Sequence, residues 1–202
     1  KRFRSPKGHF SFKAKILRRL KMKQGSVIWF CGLAGSGKSA LAETLLKLLR
    51  NEFDNVVYLD GDETREFCEP YTDNYSKEGR MQVALKRARM ANFLSKQGQI
   101  VVVSTISLFN EVYEFNRTNC INYFEIFVEC EFDELKRRDK KGLYTGALQG
   151  KIKDVVGVDI KFDEPKPNLR LDNTKLDKLD EKARFVFDEF MKFYPSSSLH
   201  NG

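Results

Sequence analysis

The chain has 202 residues, of which 41% are hydrophobic and 32% are charged, and its formal net charge is +8. This length suits one domain with a conventional core, and its four cysteines lack a Cys-x-x-Cys spacing, so we expect reduced thiols in a cytoplasmic protein rather than a disulfide framework. No apolar run reaches about 18 residues and no signal peptide is evident, so we expect no membrane-spanning segment.

The positive charge lies almost entirely at the start of the chain. Residues 1–23 carry ten lysines or arginines and no acid, whereas residues 24–202 carry 26 basic and 28 acidic residues. The body is therefore not a basic surface for nucleic acid. We divide the chain into a basic extension (1–23), one domain (24–195) and a tail (196–202). The extension is expected to be solvated or an amphipathic partner segment; nucleic-acid binding through it is an alternative that predicts salt-dependent affinity.

A strand pattern followed by a glycine-rich turn is the most informative feature of the sequence. The apolar run 27–31 leads into Gly-x-x-x-x-Gly-Lys-Ser at 32–39, and apolar residues with helical spacing follow over 41–49. Glycines let backbone N–H groups converge on one anion, and the next helix adds its positive dipole end. The pattern predicts an ATP-binding P-loop with Mg²⁺ as cofactor. The predicted ATP-binding residues are Gly32, Gly35, Ser36, Gly37, Lys38 and Ser39, and Ser39 is also a predicted metal ligand.

The remaining elements predict an α/β fold. Strands that alternate with helices and are apolar almost throughout indicate a parallel sheet of about five strands, covered by helices on both faces, as in P-loop NTPases. Further strands are predicted at 55–60, 99–105, 123–129 and 168–172, and helices at 76–97, 133–138 and 177–194.

Two carboxylates, Asp60 and Asp62, follow the second strand in the sequence Asp-Gly-Asp. We place this strand one sheet position from the P-loop strand, with its carboxyl end facing the ligand. Asp-Gly-Asp alone is often only a turn, but beside a P-loop it favours a Mg²⁺ ligand and a base that takes the acceptor's proton. The only histidines, His9 and His200, lie in the expected extension and tail.

Residues 24–172 resemble the adenylylsulfate kinase family, whose members use ATP to phosphorylate the ribose 3′-hydroxyl of adenosine 5′-phosphosulfate. The similarity begins with the strand and P-loop at 28–39 and the Asp-Gly-Asp-x-x-Arg motif at 60–65. It continues through 75–80 and 100–107, and its most specific part is Arg-Asp-x-Lys-Gly-Leu-Tyr at 138–144. Family members are commonly homodimers, and the resemblance implies the same for this chain.

The resemblance also implies roles for individual residues. Asp60 corresponds to the carboxylate that acts through a Mg²⁺-bound water or as the base, and Arg138 and Lys141 correspond to a lid that closes over the phosphates, with Arg138 on the ATP side. The implied catalytic residues are Lys38, Asp60, Asp62 and Lys141, and the implied metal ligands are Ser39 and Asp60. The implied acceptor-binding residues are Asp62, Arg65, Tyr75, Arg80, Val83, Ile106, Ser107, Lys141 and Val155.

The acceptor side departs from the family pattern at Gly79, Val83, Leu85 and Val155. Polar side chains are lost at the first three positions, and a phenylalanine that would stack on adenine is replaced by Val155. In these departures the chain resembles the cytidine diphosphoramidate kinase branch of the family, whose pyrimidine acceptor would not need the lost aromatic stack. This resemblance implies an ATP-dependent kinase whose preferred acceptor is cytidine diphosphoramidate, in the biosynthesis of capsular polysaccharide phosphoramidate. One alternative is an adenylylsulfate kinase of sulfate assimilation, and another is a non-catalytic module that binds nucleotide for regulation.

Overall fold

The computed structural model describes residues 25–68, 74–139 and 141–197, with side chains up to Tyr194. The predicted extension, most of the predicted tail and both histidines lie outside these residues. Five strands and seven helices occur in the described part of the chain. They are β1 (Ser26–Cys31), α1 (Lys38–Glu52), β2 (Val56–Asp60), α2 (Glu63–Cys68), α3 (Lys77–Lys96), β3 (Ile100–Thr105), α4 (Asn110–Asn119), β4 (Tyr123–Glu129), α5 (Phe132–Arg138), α6 (Leu143–Leu148), β5 (Leu169–Asp172) and α7 (Leu179–Ser197).

The strands form one parallel sheet in the order β2-β3-β1-β4-β5, which confirms the predicted fold class. The expectation that β2 lies next to the P-loop strand is wrong, because β3 pairs with both β1 and β2 and separates them. The register aligns Phe30 with Ser104 and Ser104 with Asp60. β3 therefore brings its own polar carboxyl end between the P-loop and the two predicted carboxylates.

Both faces of the sheet are buried, as the apolar strands predicted. On one face, Ile28 and Phe30 of β1 pack with Leu45 and Leu49 of α1 and with α7. On the other face, Val27, Trp29 and Cys31 of β1 pack with residues of α3 and α4. Burial of each large apolar side chain contributes about 1.5–3 kcal/mol relative to exposure. The sheet is therefore a rigid base for the loops at its carboxyl edge.

Three helices, α2, α4 and α6, were not predicted from the sequence. α2 and α6 have six residues each, too few to show a helical period. Among the described residues, all four cysteines are free thiols, and three of them are buried. The same residues contain no helix that is both long and apolar enough to cross a bilayer.

Candidate active site

The P-loop connects the end of β1 to the first turn of α1. Gly37 precedes α1 with a φ of 92° in the left-handed region, which favours glycine. A Cβ atom at Gly37 would also overlap the Asn173 amide. The Ser36 hydroxyl is buried inside the loop and has no hydrogen-bond partner among the described residues. An unsatisfied buried hydroxyl in a glycine-rich loop suits a phosphate oxygen as its missing partner.

Lys38, the P-loop lysine, is only 7% exposed. Its Nζ donates a hydrogen bond to the Leu33 carbonyl oxygen at 2.8 Å. Burial lowers the pKa of this amine to about 8, although the charges of Cys31, Asp62 and Asp60 act in the opposite direction. The amine therefore lies within its own loop, in surroundings where an added negative charge would hold its proton more tightly.

Asp60 sits at the centre of a hydroxyl network at the carboxyl ends of β2 and β3. Its Oδ2 accepts hydrogen bonds from Ser104 at 2.9 Å, Tyr58 at 3.0 Å and Ser39 at 3.2 Å. Its Oδ1 accepts from the backbone N–H of Asp62 at 2.8 Å. Burial raises the pKa of Asp60, but these hydrogen bonds outweigh it and place the pKa below the ordinary value. The structure thus joins the P-loop serine to an ionised carboxylate.

Tyr58 and Ser104 were not predicted to belong to the site. Tyr58 lies two residues before Asp60, so both side chains leave β2 on the same face. Ser104 follows the apolar run 100–103 of β3, and a polar residue at the carboxyl end of a buried strand was the available signal.

Asp62 differs from Asp60 in that its carboxylate is exposed. No described group donates a hydrogen bond to this carboxylate. The hydrogen bonds of Asp62 are made by its backbone, whose N–H donates to Asp60 and whose carbonyl oxygen accepts from the Arg65 N–H. Two acids separated by one glycine therefore have different surroundings. Asp60 is held by several donors, whereas the Asp62 carboxylate is exposed.

Arg65, Tyr75 and Arg80, three of the predicted acceptor-binding residues, lie together in the structure. The two guanidinium carbons lie 4.1 Å and 5.1 Å from the centre of the Tyr75 ring. Arg80 is fixed by bonds to the Asp154 carbonyl oxygen, at 2.7 Å from Nη2. Burial lowers the pKa of Arg80, and the charge of Arg65 lowers it further. Two cations on one aromatic ring, close to Asp62, form a candidate anion site.

Several predicted acceptor-binding residues have no surface available to a ligand. Val83 and Val155 are each 2% exposed, and Ser107 is fully buried. The Ser107 hydroxyl accepts a hydrogen bond from the Trp29 indole at 3.1 Å. The half-buried Ile106 packs against the core of the same sheet face. These contacts are structural in the described conformation, which gives no support to direct acceptor contacts for Val83, Ser107 and Val155.

Gly79 has a structural explanation. A Cβ atom at this position would overlap both the side chain and the carbonyl oxygen of Asn74. The Asn74 Oδ1 also accepts a hydrogen bond from the Ser76 backbone N–H at 3.1 Å. Asn74 therefore fills the space where the family pattern has a longer side chain.

Arg138 lies against the P-loop and is 5% exposed in its side chain. It donates to the carbonyl oxygens of Gly35 at 3.0 Å, Asn173 at 2.7 Å and Thr174 at 2.7 Å. Lys141, the other predicted lid residue, is exposed three residues further along the chain. The structure therefore brings Arg138, but not the Lys141 amine, into contact with the loop.

Asn173 was missed by sequence reasoning although it follows β5 directly. Its Nδ2 donates to the Ser36 carbonyl oxygen at 2.7 Å, and its Oδ1 accepts from Lys182 Nζ at 2.9 Å. A 2% exposed amide thus ties the P-loop to α7. The feature of the sequence that could have indicated Asn173 is its position at the carboxyl end of a predicted strand.

The side-chain oxygen atoms of Ser39 and Asp60 are suitable ligands for Mg²⁺, which prefers oxygen ligands. No group of three or more His, Cys, Asp or Glu side chains that could hold a metal occurs in the described ranges. Magnesium in phosphoryl-transfer sites is usually held by one or two carboxylates together with waters and substrate phosphates. A single carboxylate beside a P-loop hydroxyl matches that mode.

The sequence profile described as Adenylylsulphate kinase matches residues 24–172. The chain belongs to this family. It is 48% identical over 160 residues to the cytidine diphosphoramidate kinase of Campylobacter jejuni, and this match covers 79% of this chain and 93% of that protein. It is 36% identical over 162 residues to the adenylyl-sulfate kinase of Pseudomonas aeruginosa, and this match covers 78% of this chain and 82% of that protein.

The fold also matches a solved structure of the family. The Mycobacterium tuberculosis APS kinase, in complex with AMPPNP and APS, superposes with a TM-score of 0.74 at 32% identity, covering 83% of this chain and 98% of that one. The chain is thus a P-loop kinase of the adenylylsulfate kinase family, as its sequence predicted.

Proposed function

We propose that this kinase transfers the γ-phosphoryl group of ATP to the ribose 3′-hydroxyl of a nucleotide anhydride, and that cytidine diphosphoramidate is its preferred acceptor. The observation that carries the acceptor is the higher identity to the cytidine diphosphoramidate kinase, 48% against 36% for the adenylyl-sulfate kinase. This function would place the enzyme in the biosynthesis of capsular polysaccharide phosphoramidate.

ATP binds at the P-loop in this proposal. The unpartnered Ser36 hydroxyl and the backbone N–H groups of the loop receive phosphate oxygens, while Lys38 turns from the Leu33 carbonyl to the β- and γ-phosphates. Arg138 packs on the same loop and closes the ATP side. Mg²⁺, held by Ser39 and Asp60, would neutralise charge on the phosphates.

The two acids have separate roles because their surroundings differ. The hydrogen bonds that Asp60 accepts from Tyr58, Ser104 and the Asp62 backbone N–H keep its carboxylate ionised, so Asp60 would hold the metal or its water. The open carboxylate of Asp62 accepts the proton from the ribose 3′-hydroxyl as the new P–O bond forms. Lys141, an exposed residue two positions before α6, would reach the transferring phosphoryl group when the lid closes.

Arg65, Tyr75 and Arg80 supply the acceptor site. Their two positive charges suit the negative diphosphate part of the acceptor, and Tyr75, with 42% of its surface exposed, offers a ring to one face of a base. Val155 cannot stack on a second face, since it is buried against Leu135 and Tyr144. A small pyrimidine needs this second aromatic contact less than adenine does.

A homodimer and a cytoplasmic location belong to the same proposal. The family resemblance supports the dimer, and the nucleotide substrates support the location. We expect light scattering to give about twice the chain mass of 23.5 kDa. A mass that stays at one chain over the working concentration range would refute the dimer.

The test of the proposed reaction is product analysis by phosphorus NMR. The full chain is incubated with ATP, Mg²⁺ and cytidine diphosphoramidate, and a 3′-phosphomonoester signal should appear together with ADP. Lys38→Ala and Asp62→Asn should abolish most of this turnover. Glu63→Gln, an exposed acid in the same turn, is the matched control and should stay near the parent rate. A product phosphorylated elsewhere, or an Asp62→Asn protein as fast as the parent, would refute the assignment.

A further inference from the structure

Arg87, on α3, is a buried cation that the reaction scheme above does not use. It is 3% exposed. Its three hydrogen bonds go to neutral oxygens: Thr64 Oγ1 at 2.6 Å, Thr105 Oγ1 at 2.8 Å and the Gly61 carbonyl oxygen at 2.7 Å. Within the residues that the structure describes, no carboxylate forms an ion pair with it.

A buried guanidinium without a paired carboxylate is unusual, because a buried charge costs free energy unless it is paired and hydrogen-bonded. Burial lowers the pKa of Arg87, while the charges of Cys68, Asp60 and Asp62 oppose this shift. Arginine stays protonated even so. The positive charge of Arg87 therefore lies behind the two acids of the site without touching them.

The three acceptors of Arg87 surround these acids. Gly61 is the residue between Asp60 and Asp62. Thr64 donates its hydroxyl proton to the Asp60 carbonyl oxygen. Thr105 ends β3 immediately after Ser104, whose hydroxyl donates to Asp60 Oδ2 at 2.9 Å. One guanidinium thus joins the turn after β2, the first residues of α2 and the end of β3.

Small shifts of this turn would matter for the reaction. The turn packs tightly on β3, since a Cβ atom at Gly61 would lie 2.8 Å from the Ser104 carbonyl oxygen. Catalysis that depends on positioned carboxylates is sensitive to displacements of about 1 Å, which can cost about 100-fold in rate. The P-loop, in contrast, begins at the end of β1 and has no hydrogen bond with Arg87 in the described part of the chain.

We propose that Arg87 is a positioning residue for phosphoryl transfer: it holds Asp60 and Asp62 in place by joining the Gly61 turn to the end of β3, without contact with either substrate. The inference rests on the transfer site proposed above. It predicts a specific kinetic pattern, in which loss of the guanidinium lowers kcat and leaves the KM for ATP unchanged.

The experiment compares Arg87→Met, Arg87→Lys and Val186→Ala in the full chain. Val186 is fully buried on the opposite face of the sheet, so its truncation destabilises the fold without reaching the site. We expect Arg87→Met to lower kcat about 10- to 100-fold, with the KM for ATP within about twofold of the parent. Arg87→Lys keeps the charge but not the planar fork, so it should recover part of kcat.

Rates are measured at a temperature at which circular dichroism shows that each variant is folded. The acceptor in these assays is the one that the parent protein turns over faster. Val186→Ala should lower Tm and keep kcat. A folded Arg87→Met protein with parental kcat, or one whose loss matches that of Val186→Ala at equal Tm, would overturn the proposal. If Arg87→Met does not fold, Arg87→Lys decides: a lower kcat at unchanged KM for ATP supports the proposal, and parental kcat overturns it. A parent that prefers adenylyl sulfate would refute the acceptor only.

Discussion

ATP binding should weaken about tenfold between pH 7 and pH 9 because of one side chain, Lys38. Its amine is buried, and this burial lowers its pKa to about 8 in the protein without ligand. Bound triphosphate places negative charge beside the amine and raises its pKa again. Because the pKa of Lys38 is higher in the complex than in the protein without ligand, ATP binds most tightly at pH values below the ligand-free pKa. The affinity falls as the pH rises above that value.

The magnitude follows from the fraction of Lys38 that is already protonated. About nine-tenths of the amine is protonated at pH 7 and about one-tenth at pH 9, so the affinity falls about tenfold, or about 1.4 kcal/mol. At pH 8 binding should take up about half a proton. ATP itself contributes little, because phosphate monoesters have their second pKa near 6.

Titration calorimetry at pH 8 in two buffers with different ionisation enthalpies measures this proton uptake, and Kd is measured at pH 7, 8 and 9 at one Mg²⁺ concentration. Lys38→Arg is the matched control, since a guanidinium stays protonated throughout this range. Its Kd should not change with pH. An equal Kd at pH 7 and pH 9 in the parent, or the same pH dependence in Lys38→Arg, would refute the reasoning.

Two further predictions concern residues that were found only in the structure. Tyr58→Phe removes a donor to Asp60, so it should raise the pKa of Asp60 and lower the free energy of unfolding, measured by urea titration at pH 7, by about 1 kcal/mol. This loss should shrink in acid, because the removed hydrogen bond stabilises the fold only while Asp60 is ionised. A loss of the same size at every pH would contradict this. Asn173→Ala frees the Ser36 carbonyl, so the KM for ATP should rise about tenfold with the acceptor KM unchanged; equal rises in both would contradict a P-loop role.

The sequence allowed the P-loop and the Asp60–Asp62 pair to be predicted because each lies in a short continuous segment next to a buried strand. The order of the strands was not predictable in the same way, since several apolar runs could pair with β1. Ser104 belongs to the site because β3 pairs with β2, which brings Ser104 to Asp60 across 44 positions of sequence. Tyr58 lies on the same strand as Asp60, but its hydroxyl group could equally have served the core.

Burial limited the prediction of the acceptor site. Val83 and Val155 occupy positions of a binding motif, but a motif does not say which way a side chain points, and both are buried. Arg87 shows the opposite case. On a charged helix it looks like a solvent-exposed cation, and only the packing of α3 against the Gly61 turn shows that it is inside the protein.

The ratio of kcat/KM for the two acceptors tests the central claim most directly. Steady-state rates of the full chain are measured with ATP and Mg²⁺ against cytidine diphosphoramidate and against adenylyl sulfate. Loss of one charge-assisted hydrogen bond to an acceptor costs about 1.5–3 kcal/mol, so kcat/KM should be at least about tenfold higher for cytidine diphosphoramidate. A higher kcat/KM for adenylyl sulfate would contradict the proposed function.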